Sequence, residues 1–244
     1  MTWFRCPETR PWASMRLFCL PHAGGSAVFY RPWAKRAGPA VEVQAVQYPG
    51  RADRMADAFV TDARQLARLI AGAMAPLMDR PAALFGHSMG AVLAYEVARL
   101  LEERGTAPVH VFASGARPPD DRGDEHLRHK DDDGLVAELV RLGGTDAELL
   151  AEPELRELVL PYVRNDFTLI EEYAHRPEPP LTVPVTAIIG DADPHVDEEL
   201  ARGWERATRG RFALRVLPGG HFYLADQQPA VLAEVLRTLE VPAV

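Results

Sequence analysis

The stretch Pro81–Leu101, PAALFGHSMGAVLAYEVARLL, sets a lone serine between two glycines where an apolar run gives way to a helical pattern. Ala82–Phe85 reads as a buried strand, and Ala91–Leu101 as a helix with small residues in its first turn. A chain that reverses this tightly crowds the residue at the bend, so its close neighbours must lack Cβ atoms. Gly86 and Gly90 supply that room, and Ser88 is left pointing off the tip of a sheet.

The pattern around this turn extends along the chain. Short apolar strands are predicted at Arg16–Leu20, Val41–Gln47, Val109–Ser114, Val185–Ile189 and Phe212–Leu217. Helical patterns fall between or after them, near Tyr30–Ala37, Val60–Met78, Glu198–Thr208 and Val231–Leu239. Such alternation predicts an α/β fold, a mostly parallel sheet flanked by helices on both faces. One segment breaks the rhythm, because no strand is predicted between Ser114 and Val185. Its first part, RPPDDRGDEHLRHKDDDG, is charged and loop-like, and the rest is helical, with Gly143–Gly144 as a stop. Pro161 lies inside the second helical pattern and predicts a kink or a division there. The 244 residues are therefore expected to form one domain, 1–244, with a helical lid insertion at about 120–180. A helical insertion after a central strand sits above the carboxyl edge of the sheet, where open α/β sheets bind ligands.

Composition narrows the function classes. A hydrophobic content of 47% suits a sizeable core, and no apolar run approaches a membrane span. The opening MTWFRCPETRPWASM lacks the apolar core of a signal peptide, so a cytoplasmic location is expected. Two cysteines, Cys6 and Cys19, are too few for a disulfide framework. A formal net charge of −8 argues against nucleic-acid binding.

G-x-S-x-G between a strand and a helix is the nucleophile elbow of the α/β-hydrolases. A serine hydroxyl needs a positioned base, and that base needs a carboxylate to orient it. In this fold they follow in the order Ser, Asp or Glu, His. Of eight histidines, His22 and His87 precede Ser88, and His110 lies at the wrong end of a strand. His126, His129 and His175 belong to the insertion, and His195 to the loop that supplies the acid. His221, in LPGGHFYL directly after the last strand, is the expected base. The acid is sought in GDADPHVD, where Asp191, Asp193 and Asp197 compete. Asp193 precedes a proline and is pushed into an extended conformation that holds its carboxylate out of the turn. Asp197 reads instead as a helix N-cap, which leaves Asp191 as the competitor. Hydrolysis also requires an oxyanion hole. Its expected donors are the backbone N–H groups of Met89 and of Ala23, the latter in LPHAGGSA after the first long strand.

LPHAGGSA, YPGRADR, FGHSMGAVLAYEVAR, LPYVRNDFTLIEEY, GDADP and PGGHFYL together resemble the type II thioesterases of polyketide and nonribosomal peptide synthesis, over nearly the whole chain. The resemblance implies hydrolysis of acyl thioesters from the phosphopantetheine arm of acyl or peptidyl carrier proteins, clearing stalled or misprimed groups. It implies no metal and no cofactor beyond the arm that the substrate carries. One departure is Asn165, where related sequences often carry alanine. Arg51 and Arg54 are candidate contacts for the arm's phosphate or an acidic carrier, against local pairing with Asp53 and Asp57. A general medium-chain acyl thioesterase or serine esterase is the chemically near alternative. A catalytically inactive hydrolase scaffold is the distant one, and it conflicts with the intact Ser, Asp, His and elbow glycines.

Overall fold

The computed structural model describes residues 3–121, 123, 126–143, 150, 152–176 and 178–241. Gly144 and three residues of the charged loop, Arg122, Asp124 and Glu125, lie outside that set. Seven strands form one sheet: β1 (Phe4–Arg5), β2 (Met15–Leu20), β3 (Val41–Val46), β4 (Ala82–His87), β5 (His110–Ser114), β6 (Val185–Gly190) and β7 (Phe212–Leu217). Their order is β1-β3-β2-β4-β5-β6-β7. Every pair is parallel except β1 with β3, which is antiparallel. The two-residue edge strand β1 is too short for an alternating pattern in the sequence to reveal.

The central strands β2 to β6 are buried on both faces, and their period of two sorts side chains into two cores. Phe18, Leu20, Leu84 and Val111 face helices α2 (Ala63–Met74) and α3 (Met89–Glu103). Leu17, Cys19, Phe85 and Phe112 face α1 (Arg31–Arg36) and the C-terminal helix, Gln228–Thr238. Helix α2 is shorter than its apolar pattern. Asp62 caps its start by accepting the Gln65 N–H at 2.6 Å, and a 3₁₀ turn containing Pro76 ends it.

Among the described residues the segment between β5 and β6 holds no strand. It contains α4 (Asp132–Leu142) and α5 (Pro153–Glu171). Asp131 caps α4, and Gly143 closes it in the left-handed conformation, φ 80°. Helix α5 runs undivided through Pro161. Proline removes one internal hydrogen bond, but Leu160 and Val163 on either side are anchored in a small third core. That core also contains Leu127, Leu135, Leu139 and Phe167 of the insertion, with Ala23 of the body packed against it. Among the described residues no helix is long and apolar enough to cross a membrane.

Candidate active site

Ser88 sits between the end of β4 and the first residue of α3, with φ 53° and ψ −120°. A side-chain-bearing residue rarely adopts this conformation, and the surroundings must hold it there. The Ser88 N–H donates to the Ser114 carbonyl at 2.8 Å, and the Ser88 carbonyl accepts the Ala91 N–H at 2.9 Å. The flanking glycines are explained by close approach. A Cβ on Gly86 would lie 2.0 Å from the Gly90 carbonyl oxygen, and one on Gly90 would lie 2.1 Å from the Leu20 oxygen. Neither position admits a side chain.

The loops after β6 and β7 bring Asp193 and His221 together. His221 Nδ1 lies 2.9 Å from Asp193 Oδ2, and the carboxylate is wholly buried. Its other oxygen, Oδ1, accepts the His195 N–H at 2.9 Å. With Nδ1 donating to Asp193, the His221 Nε2 is left as a proton acceptor. Ser88 and His221 line one cavity without a hydrogen bond between them, a gap that substrate commonly closes in such sites. The rival carboxylates do other work. Asp191 accepts the Gly219 N–H at 2.9 Å and braces an exposed turn. Asp197 accepts the Leu200 N–H at 2.8 Å as the N-cap of α6 (Glu198–Arg202).

Ala23 and Met89 border the same cavity. Met89 is the first residue of α3, so its N–H has no partner within the helix. Among the described residues neither its N–H nor that of Ala23 meets a protein acceptor.

Beneath the site lies a polar chain that the sequence did not announce. Tyr223, which opens helix α7 (Tyr223–Asp226), donates its hydroxyl to the Ile188 carbonyl at 3.0 Å. It therefore accepts from Ser114 Oγ at 2.7 Å, and Ser114 in turn accepts from His87 Nδ1 at 2.9 Å. This fixes His87 as a neutral ring with its proton on Nδ1. Burial, reinforced by the neighbouring His221, holds the His87 pKa well below the usual value. Burial likewise lowers His22 to about 3. His22 and His87 are thus neutral near pH 7 and do not compete with His221 for a proton.

Arg51 and Arg54, the candidate contacts for the arm's phosphate or an acidic carrier, are both buried and paired with carboxylates of the protein itself. Arg51 is 2% exposed and forms a fork to Asp166, Nη1–Oδ2 2.5 Å and Nη2–Oδ1 2.7 Å. It also stacks on the Tyr162 ring at 4.7 Å. Arg54 pairs with Asp57 at 2.6 Å, donates to the Gln47 carbonyl and covers the Trp3 ring at 4.2 Å. Local pairing holds for Arg54, whereas Asp53 pairs with Arg5. The Arg51 partner, Asp166, lies 115 positions away on α5, and no local spacing signals it. Asn165 beside it donates to the Val60 carbonyl at 3.1 Å, joining α5 to the body of the protein.

The insertion supplies the apolar wall of the cavity through Leu127, Leu142, Phe167, Ile170 and Tyr173. Together with the sheet-edge loops it makes a greasy chamber ending at a serine, a histidine and two open N–H groups. Among the described residues no cluster of His, Cys, Asp and Glu is arranged to hold a metal ion.

Comparison with known proteins agrees with this architecture. A family model described as a thioesterase domain matches residues 15–239. The chain is 44% identical over 237 residues to a probable cadicidin biosynthesis thioesterase of Streptomyces griseus, covering 97% of this chain and 66% of that protein. It is 43% identical over 227 residues to thioesterase PikA5 of Streptomyces venezuelae, covering 92% of this chain and 81% of that one. The solved structure of BorB, the type II thioesterase of the borrelidin cluster, superposes with a TM-score of 0.90 at 37% identity, covering 100% and 99% of the two chains. An α/β-hydrolase sheet, a serine at its elbow and these similarities lead to one assignment: the chain belongs to the thioesterase family, among its type II members.

Proposed function

We propose that the chain releases acyl groups from the phosphopantetheine arm of acyl or peptidyl carrier proteins, clearing blocked polyketide or nonribosomal peptide assembly lines. As a member of this family it is a serine hydrolase acting on thioesters. In this reading Ser88 is the nucleophile, His221 the general base and acid, and Asp193 the residue that orients His221. The observation that carries it is the 2.9 Å His221–Asp193 pair, facing the cavity that also holds the strained Ser88.

The chemistry proceeds in two halves. The Ser88 Oγ attacks the thioester carbonyl while its proton passes to His221 Nε2. The carbonyl oxygen becomes an oxyanion between the N–H groups of Ala23 and Met89. The C–S bond then breaks, and the thiol leaves with the proton from His221. Water enters, gives its proton to His221 and attacks the acyl-serine. The ester bond breaks, the proton returns to Ser88, and a free acid departs. Burial of Asp193 beside His221 stabilises the ring each time it becomes positive.

A carrier offers contacts remote from the reacting carbonyl, and such binding energy can position it. With Arg51 and Arg54 buried, and a net charge of −8, those contacts fall to the insertion rather than to a basic patch. The test compares the same short acyl group on phosphopantetheinylated carrier and on coenzyme A. The expected result is a kcat/KM at least about tenfold higher on the carrier, a difference of about 1.4 kcal/mol. Equal efficiency on both would replace carrier specificity with a general thioesterase.

A further inference from the structure

The loop that carries Ala23 is gripped from several sides. Tyr30 donates its hydroxyl to the Leu20 carbonyl at 3.2 Å, and Tyr48 donates to the Pro21 carbonyl at 3.0 Å. The Gly25 N–H closes a turn onto the His22 carbonyl at 2.9 Å. These bonds all come from the body of the protein. The next one does not. The Gly24 N–H donates to Asp166 Oδ2 at 2.8 Å, and Asp166 belongs to α5 of the insertion. Arg51, held by both oxygens of Asp166, donates in addition to the Gly25 carbonyl at 3.2 Å. One buried ion pair thus holds an N–H and a C=O on the two residues that follow Ala23.

We infer that Asp166, fixed by Arg51, is a positioning residue for the oxyanion hole, linking the insertion to the Ala23 N–H. The inference rests on the proposed role of Ala23. A peptide N–H stabilises an oxyanion only if its direction is set before the charge develops. The Ala23 direction follows from the backbone torsions of residues 22–25, and Asp166 fixes the peptide plane between Ala23 and Gly24. Without that bond the Gly24 N–H loses its acceptor, and the turn keeps its short His22–Gly25 closure and the Arg51 contact to the Gly25 carbonyl. Both members of the pair are almost wholly buried, Arg51 at 2% and Asp166 at 1% exposure. Buried ion pairs are a poor route to stability compared with apolar packing, so one placed against a catalytic loop points to geometry. The arrangement also makes the hole depend on the insertion, because displacing α5 withdraws the acceptor of the Gly24 N–H.

The test uses Asp166→Ala and Asp166→Asn in the full chain, assayed well below the melting temperature of each. Asparagine keeps a carbonyl oxygen for the Gly24 N–H but loses the charge that pairs with Arg51. Alanine loses both. Both variants are expected to melt earlier than wild type. Asp166→Ala should lower kcat about 100-fold, at the lower end of the loss seen when an oxyanion donor is removed. Its KM should stay within about threefold, while Asp166→Asn recovers kcat to within about tenfold of wild type. A trifluoromethyl ketone mimic of the oxyanion should lose affinity in parallel with kcat. A kcat for Asp166→Ala within about threefold of wild type overturns the inference. So does equal loss in both variants, which would mark a structural role alone. Fluorophosphonate labelling of wild-type Ser88 separates the two readings: an unlabelled but active wild type removes the proposed mechanism, and this inference with it.

Discussion

The sheet edge and the insertion build one cavity by opposite means. At the sheet edge, Ser88 and Asp193 follow the fully buried strands β4 and β6, His221 follows the half-buried β7, and glycines let backbones approach where no side chain fits. The insertion holds itself together with a small separate core and with ion pairs such as Arg156–Asp133 and Arg164–Asp132, whose carboxylates are mostly exposed. Exposed pairs of that kind contribute at most about 1 kcal/mol each. Its ties to the body include the Arg51–Asp166 fork, Asn165 on the Val60 carbonyl and the Tyr173 hydroxyl on Glu96. The proposed catalytic residues thus stand on the tightly packed sheet edge, and the insertion adds a core of its own while Leu169 and Tyr173 join the main one.

The contrast can be broken most forcefully at the elbow. Ser88→Ala should fold with an unchanged melting temperature and lose turnover by about a millionfold. Steady-state kinetics beside a thermal melt check both halves. Next comes the acid. Asp193→Asn should lower kcat by about 10⁴ by leaving His221 poorly oriented, whereas Asp191→Asn, on its exposed turn, should cost less than about tenfold. Reversed effects would move the acid and leave the rest of the site standing.

Stability separates the regions further. Gly86→Ala forces a methyl against the Gly90 carbonyl and should cost about 3 kcal/mol in urea unfolding. Gly143→Ala, at the end of α4 with open space around it, should cost about 1 kcal/mol through its positive φ alone.

Acid acts on the sheet side. Burial lowers His22 to about 3 and His110 to about 4, against about 6.5 for an unfolded histidine. The unfolded chain therefore takes up protons first, and the stability present above pH 6.5 is lost as pH falls toward these lower values. Each ring should contribute a slope of up to about 1.4 kcal/mol per pH unit. Urea midpoints between pH 7 and 5 measure it, and His110→Gln should flatten it by one proton. Smallest is Asn165→Ala, which removes one tie between insertion and body. It should cost about 1 kcal/mol of stability with kcat nearly unchanged.

The legible part of the molecule is the part written in local pattern. The elbow, the helix cap at Asp197 and the pre-proline Asp193 declare themselves within a few residues. In an α/β-hydrolase fold, chain order together with its place directly after the last strand singles out His221. What stayed hidden was pairing at long range. Arg51 reads as a surface cation until Asp166 closes on it from α5, and Ser114 and Tyr223 show nothing of their place beneath His87. At Pro161 the helix is not divided, with Leu160 and Val163 on either side anchored in the small third core.

The central claim, that thioester cleavage runs through Ser88, is tested most directly by fluorophosphonate labelling followed by peptide mass spectrometry. The account predicts a single adduct on Ser88, formed in step with loss of thioester hydrolysis and absent from Ser88→Ala. A protein that stays active while unlabelled, or an adduct on another residue that tracks the loss of activity, would contradict it.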